Sequence, residues 1–412
     1  MNMKALFLQL INAIEPHSKS IFTLGISLLL LVGIAYSLML GDALRFSDER
    51  DYLRLATNLA NAGEYALTEG QPTAYRPPGY PILLAALLSI GIPIQGMRIA
   101  NFLMLVTATV LLSRMAQDQT QRPAAAVLPY VVIAYPLFVY TAGALYPQML
   151  AALLLTTFLF TISRPIGTAT KNIVAGLVFG LLLLTLPLYL LLLPAFLLWV
   201  IVRRPIRIRD GLLICLIAGV TTLPWLARNY VTFDVFPLFG TNSGNVLLLG
   251  NSENTTPNSG IQADISSYRD QARDLDEVER NRFFTERAID NILNRPGRSA
   301  TLYMGKFLNW FNVNPNLATT DEQHWLQIFV LAASYAMLIG LLLLRLWYTR
   351  KWPLSDTEAL SLLLYLAAAA AYAIFFTRIR FRVPFDLLLV LPVSSAIRLA
   401  VAEIAAKRST PP

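Results

Sequence analysis

Residues 21–40 read IFTLGISLLLLVGIAYSLML, a run without a single charge. A helix of that length reaches about 30 Å, the thickness of a bilayer's hydrocarbon core. Further apolar runs at residues 102–112, 150–162, 211–226 and 328–346 approach or match it, so the apolar character extends along the whole chain. Composition agrees: 56% of the 412 residues are hydrophobic and 14% charged, with a mean hydropathy of +0.55. A soluble chain of this size needs far more polar cover. Behind the first run, Gly41 and Asp42 lead to Arg45 and Phe46 with no small-residue cleavage site, so the run reads as a retained signal-anchor with its amino end in the cytoplasm.

The net charge of +8 would suit a nucleic-acid partner only if it gathered on one face, and the basic residues are instead scattered between apolar runs. The Lys/Arg orientation rule accounts for them better. The one cysteine, Cys215, lies within a run, so neither an internal disulfide nor a cysteine metal site can form. About ten spans are predicted, at residues 20–40, 97–116, 124–145, 148–163, 171–186, 188–202, 211–227, 325–346, 358–376 and 384–401. The linkers holding Arg114 and Arg122, Arg164 and Lys171, residues 203–209, residues 345–351 and the tail with Lys407 and Arg408 then all fall on the cytoplasmic side. Residues 171–202 read as a hairpin turning at Pro187, because one long helix would carry Arg203, Arg204, Arg207 and Arg209 outside.

The opposite side receives the first loop, a short turn at 143–148, a long segment from 229 to 324, and Arg378, Arg380 and Arg382. Within the long segment, residues 240–260 are rich in Asn, Ser, Thr and Gly and predict a loop. Leu275, Val278, Phe284, Ala288 and Ile292 then recur near helical spacing until Asn294-Arg295-Pro296-Gly297 stops the helix. Leu302, Phe307, Trp310 and Phe311 predict a helix at the membrane interface. No internal repeat is visible, which weighs against an inverted-repeat transporter.

The first polar loop, residues 46–81, is the expected seat of chemistry. Ser47-Asp48-Glu49-Arg50-Asp51-Tyr52 opens a helix with Asp48, Tyr52, Leu55 and Leu59 on one face. An acid and a phenol are thereby set side by side, although Ser47 as a cap and acids in the first turn also serve the helix itself, by about 0.3–1 kcal/mol per charge. Thr73-Ala74-Tyr75-Arg76-Pro77-Pro78-Gly79-Tyr80-Pro81 carries a cation between tyrosines on a stiff backbone. Alone, Arg76 reads equally as an anchor to lipid phosphate. Together, an acid and a rigidly held cation suit transfer from an anionic donor.

Asp48-Glu49 with Tyr52, the Gly63-Glu64-Tyr65 turn, and Arg76-Pro77-Pro78-Gly79-Tyr80-Pro81 resemble the first external loop of GT-C superfamily glycosyltransferases. The nearest look is to the bacterial, glycosyltransferase family 39-like branch of protein O-mannosyltransferase-like enzymes and the aminoarabinose transferase of lipid A. Pro224-Trp225-Leu226-Ala227-Arg228-Asn229-Tyr230, Gly244-Asn245, Gly250-Asn251 and Arg378-Ile379-Arg380-Phe381-Arg382-Val383-Pro384 extend the resemblance over most of the chain. It implies an enzyme that moves a sugar from a polyprenyl-phosphate carrier to an acceptor on the external face, with inversion. Carried over, Asp48 is the general base, Glu49 shapes the acceptor side or adjusts the acid, and Arg76 holds the carrier phosphate. Tyr52, Tyr75 and Tyr80 line the sugar, order the loop or serve as interfacial packing.

The turn Gly143-Ala144-Leu145-Tyr146-Pro147-Gln148 lacks the second acid that relatives often carry there, and Leu186 stands where many have an arginine before Pro187. Metal binding is put in doubt by the first departure, since Asp48 and Glu49 alone make a poor divalent site; a divalent ion stays open without a ligand cluster, and no cofactor is assigned. Tyr146 and Gln148 are candidates to line the sugar or acceptor. Arg378, Arg380 and Arg382 break the orientation rule, and their spacing predicts an extended or turning segment before Pro384. Their readings are a phosphate clamp for the carrier, or headgroup contact and pairing with Asp386. His17 and His324 are isolated, no glycine-rich phosphate loop occurs, and Asn254-Thr255-Thr256 is a sequon of the kind chance supplies.

The fold class read here is an all-α polytopic membrane protein with an external first loop carrying amphipathic helices. Residues 1–228 form a transmembrane core whose first external loop is 41–96, residues 229–324 an external helical segment, and residues 325–412 the closing spans. The expected function is an inverting glycosyltransferase of a bacterial cytoplasmic (inner) membrane, multi-pass, with its site facing the periplasm. Its partners are the bilayer, a polyprenyl-phosphate (undecaprenyl-phosphate) sugar and a protein, lipid or glycan acceptor, with no nucleic acid. Arabinofuranose, aminoarabinose, mannose and other hexoses all remain open as the sugar. The alternative is a membrane transporter or lipid-linked sugar flippase, which would place acids and bases inside the spans.

Overall fold

The computed structural model describes residues 16–120, 125–236, 240–313 and 325–409, with side chains described to 117 and 400 in the helices that end at 120 and 409. Arg122 and His324 lie outside the described residues, as do the side chains of Lys407 and Arg408. In order, the helices are α1 (Ser18–Leu40), α2 (Ser47–Ala62), α3 (Gly79–Ser89), α4 (Ile94–Thr120), α5 (Leu128–Ile133), α6 (Pro136–Ala142), α7 (Gln148–Ser163), α8 (Thr168–Thr185), α9 (Leu193–Arg203) and α10 (Ile208–Phe233). They continue with α11 (Ser243–Asn251), α12 (Ser266–Gln271), α13 (Glu277–Asn294), α14 (Pro296–Asn309), α15 (Trp325–Trp347), α16 (Asp356–Ile374) and α17 (Ile379–Ser409). Two short strands, β1 (Ala66–Thr68) and β2 (Gln71–Pro72), pair antiparallel around Gly70.

Among the described residues, 7 helices are long and apolar enough to cross a membrane. They fall at Ser18–Leu40, Ile94–Gln117, Thr168–Thr185, Ile208–Phe233, Trp325–Arg350, Asp356–Ile374 and Ile379–Ala400, so the protein is a multi-pass membrane protein. The expected span 148–163 is α7 with those same bounds, and 188–202 is a 3-10 turn, Pro187–Leu192, followed by the shorter helix α9. The expected span 124–145 is corrected. It breaks between α5 and α6, where Tyr135 leaves helical geometry and Pro136 begins the next helix. The hairpin at Pro187 is present, with Leu186 extended between α8 and the 3-10 turn.

α17 is the most buried of the spans and α1 among the least, so α17 forms the axis of the bundle. Close approach of α8 and α10 comes from Gly176 and Gly180, since a Cβ at Gly176 would fall 2.6 Å from Ile217. In an apolar surround, where water gives helices little reason to associate, such small-residue contact is a main source of packing energy. A separate small core under the first loop joins Tyr52, Ala56, Tyr80, Leu84 and Leu145. A third, outside the bundle, joins Leu248 and Leu249 to Phe284 and Ala288.

The loop expected over 240–260 is likewise corrected, because residues 243–251 form α11. Leu248 and Leu249 are buried against Phe284 and Ala288 of α13, with Val246 and Leu247 partly covered beside them, and this apolar run gives the otherwise polar stretch a packed helix. α13 itself matches its sequence signal closely: Asp276 accepts from the Val278 and Glu279 amides, and the Glu279 carboxylate accepts from the Asp276 amide.

Candidate active site

The site begins with how α2 starts. Ser47 is not the cap; the Glu49 carboxylate is, accepting from the Arg45 amide at 2.8 Å and the Phe46 amide at 3.0 Å. Its other oxygen accepts from the Leu145 amide at 2.9 Å. Arg98 backs the same point, 3.8 Å from Glu49 and donating to the carbonyls of Gly143 and Ala43. Glu49 is fully buried, so it ties the link after α1, the start of α2 and the 143–147 turn together rather than facing a substrate.

Neighbouring helical residues differ by about 100° in direction, so Asp48 points the other way, with Asp51 and Tyr52 three and four positions on. Arg76 crosses this face. Its Nη2 lies 2.6 Å from Asp48 Oδ1 and 2.7 Å from Asp51 Oδ2. The guanidinium is also over the rings of Tyr52 and Tyr75, at 5.3 and 5.1 Å. The proline-rich strap carrying Arg76 is fixed from three sides. Tyr65 Oη donates to the Arg76 and Pro77 carbonyls, Arg228 to the Thr73 carbonyl, and the Ala74 amide and Thr73 hydroxyl donate to Glu277. Tyr80 supports Tyr52 edge-on from beneath, with its hydroxyl on Asn101, and does not reach the cavity.

The three late arginines are not on an extended segment, because α17 already begins at Ile379. On a helix, residues two apart diverge by about 200°. Arg380 accordingly turns to the first loop, its Nη2 2.6 Å from Asp48 Oδ2, with its guanidinium 4.6 Å from the Tyr146 ring centroid. Arg382 turns into the bundle, where it pairs with Asp386 at 3.0 Å and donates to Trp310 O, Asn312 O and Tyr135 Oη. It is therefore not available to a ligand beside Asp48. Arg378 precedes the helix, half-buried beside Gly260 and without a carboxylate partner among the described residues; burial, then the charge of Arg380, lowers it to about 10.

Asp48 thus stands between two cations. Burial alone would raise its carboxyl, and Arg380 and Arg76 overcome that and hold it at about 2. The three groups open on a cavity of ≈ 410 Å³ at one end of the bundle. Tyr52, Tyr75, Tyr146 and Gln148 border it; Glu49, Tyr80, Arg378 and Arg382 do not. Residues that were not site candidates in the sequence reading complete its wall: Asn242, Ser243 and Asn245 at the start of α11, Arg269 of α12, and Tyr372. Asp51 was also missed, although its spacing of three from Asp48 put both acids on one helical face.

Lys306 of α14 was missed as well. It is 1% exposed, and its ammonium has the carbonyls of Gly250, Ile374 and Phe375 and the Asn251 amide oxygen within 2.8–3.3 Å. The C-termini of α11 and α16, whose last carbonyls lack helical partners, are held together by this one group. Burial, with Arg298 adding to it, pushes Lys306 down to about 7. Nothing in the sequence around Lys306 distinguishes it from an ordinary basic residue of an interfacial helix.

Neither a family model nor a curated protein sequence matches the chain. Its architecture does match solved structures. The archaeal oligosaccharyltransferase AglB from Archaeoglobus fulgidus, in complex with an inhibitory peptide and a dolichol-phosphate, superposes with a TM-score of 0.52 at 14% identity, over 96% of this chain and 52% of that one. A crystal structure of the Archaeoglobus fulgidus oligosaccharyltransferase with zinc and sulfate gives 0.50 at 15% identity, over 93% and 50%. ArnT from Cupriavidus metallidurans bound to undecaprenyl phosphate gives 0.46 at 17% identity, over 95% and 81%. The chain therefore shares the overall fold of these membrane-protein structures. The chain spans about half the length of the two archaeal proteins.

Proposed function

We propose that the protein is an inverting glycosyltransferase that moves a sugar from a polyprenyl-phosphate donor to an acceptor hydroxyl on the external face of a bacterial cytoplasmic membrane. One observation carries this reading: a cavity-lining carboxylate, Asp48, between two guanidinium groups at the end of an apolar bundle. Asp48 takes the hydroxyl proton as the acceptor oxygen bonds to the anomeric carbon. On the opposite side of that carbon the bond to the phosphate oxygen breaks, and its electron pair leaves on the phosphate. That charge develops beside Arg76 and Arg380, in a site where water no longer screens it.

An apolar groove of ≈ 480 Å³ shares Pro77 and Pro187 with the cavity and is walled by Leu183, Leu216, Val220 and Leu223. It suits the prenyl chain, with the headgroup at Arg76. Arg203, Arg204, Arg207, Arg209, Arg345, Arg350 and Lys351 belong to the other end of the bundle, which the Lys/Arg rule assigns to the cytoplasm. Metal chemistry finds no ready donors: Asp48 faces arginines, Glu49 faces backbone amides, and among the described residues no three His, Cys, Asp or Glu side chains come together. The acceptor and the sugar are set by the Asn242, Ser243, Asn245 and Arg269 wall.

The test is to reconstitute the protein in nanodiscs with a panel of undecaprenyl-phosphate sugars and an envelope extract as acceptor, and to measure free undecaprenyl phosphate. Release from one donor, with the sugar appearing on an extract component, supports the reading. No release from any donor, or movement of intact lipid-linked sugar across a vesicle without cleavage, overturns it.

A further inference from the structure

Both oxygens of the proposed base are already engaged. Arg76 Nη2 meets Oδ1 and Arg380 Nη2 meets Oδ2, each at 2.6 Å, while Asp51 Oδ2 takes a second contact from Arg76 at 2.7 Å. A carboxylate held this way is a weak base, and its oxygens face cations rather than an acceptor hydroxyl. The two arginines, however, are not exhausted. The Nε of each is buried and has no acceptor among the described residues. A guanidinium presents its Nε–H and one Nη–H in parallel, the fork that a phosphate grips with two oxygens. Phosphate and Asp48 are therefore rivals for the same two side chains.

We propose that the donor phosphate unlocks Asp48: it draws the Arg76 and Arg380 guanidinium groups onto itself and leaves the carboxylate facing the acceptor, so that donor binds first and acceptor second. The inference rests on the reading of the cavity as a polyprenyl-phosphate sugar site. Before the donor arrives, the base is neutralised in its own ion pairs and the cavity activates no stray hydroxyl. Once the anomeric bond has broken, the carrier leaves as a phosphate monoester with more negative charge than the diester that entered. The arginines hold that charge until the carrier departs, then return to Asp48, which gives its captured proton to water. One pair of cations thus serves two anions in turn.

Competition can be read directly from binding, without turnover. The probe is undecaprenyl phosphate, titrated onto detergent-solubilised full-length protein and followed by native mass spectrometry. Removing the rival charge in Asp48→Asn is expected to tighten binding about tenfold, and Asp51→Asn, which frees only Arg76 from one partner, about threefold. Asp48→Glu, which keeps the rival, should bind as the wild type does. If Asp48→Asn loses its fold, seen as a collapsed thermal midpoint, the Asp51→Asn arm still decides. Equal affinity in wild type and in the folded Asn variants overturns the unlocking while leaving the proposed function intact. Failure of every form to bind undecaprenyl phosphate sinks the proposed function and this inference with it.

Discussion

The first two turns of α17 send out two arginines of the same chemistry, and they end in opposite circumstances. Arg382 is 3% exposed, and each of its donor nitrogens has an acceptor: Asp386, Trp310 O, Asn312 O and Tyr135 Oη. Its guanidinium also lies 3.4 Å from the centroid of the Tyr335 ring. Arg380, two residues earlier, meets Asp48 through one nitrogen, leaves its Nε without an acceptor among the described residues, and borders a cavity. The inward arginine belongs to a closed network that fixes how α17 sits in the bundle. The outward one is held by one exchangeable ion pair, with Asp48, and by the Tyr146 ring beneath its guanidinium. A buried ion pair is therefore no sign of function until its unused donors and its access are known.

The largest effect should come at the outward site. Asp48→Asn is expected to lower sugar transfer about a thousandfold with an unchanged thermal midpoint; transfer at the wild-type rate by that variant would remove Asp48 as the base. The inward site should answer in stability instead. Asp386→Leu strands Arg382 as an unpaired buried cation and should cost about 3–5 kcal/mol, most of it recovered in the double variant Arg382→Met with Asp386→Leu. Thermal unfolding in detergent checks this, and single and double variants that melt alike would break the contrast. Next comes Arg380→Lys, which keeps the charge but loses the fork: turnover should fall about tenfold, while the same change at Arg382 should act through stability.

The smallest effect concerns Lys306, whose grip on the Phe375 carbonyl holds the turn leading to Arg380. Its folded value of about 7 lies below the ordinary lysine value of 10.5, so between those limits the unfolded chain binds more protons and stability rises with pH. From pH 7 to 8 the wild type should gain about 1 kcal/mol over Lys306→Met. An identical pH slope for both in thermal unfolding would dismiss the lysine as the source.

Much of this was readable in the sequence, for identifiable reasons. Apolar runs declare a membrane bundle because a lipid-facing helix has no other composition open to it. α13 announced its end through Asn294-Arg295-Pro296-Gly297, and the strap of Pro77, Pro78 and Pro81 announced a rigid arginine. The misreadings share a cause as well. Asp48-Glu49 looked like a pair because the residues adjoin, and the helix sends one to the cavity and the other to the Leu145 amide. Arg378, Arg380 and Arg382 looked like one cluster until the helix divided them. Lys306 gave no signal at all, since its acceptors come from residues 250–251 and 374–375.

By itself, then, the sequence determined that the chain is built of apolar spans long enough to cross a membrane, that a polar loop follows the first of them, and that Asp48 opens a helix while Arg76 sits on a proline-stiffened strap. Those are consequences of composition and short-range geometry, which a linear chain carries intrinsically. Which oxygen meets which guanidinium was decided only by the tertiary structure, because Asp48 and Arg380 stand 332 residues apart and meet only when α2 and α17 are brought together.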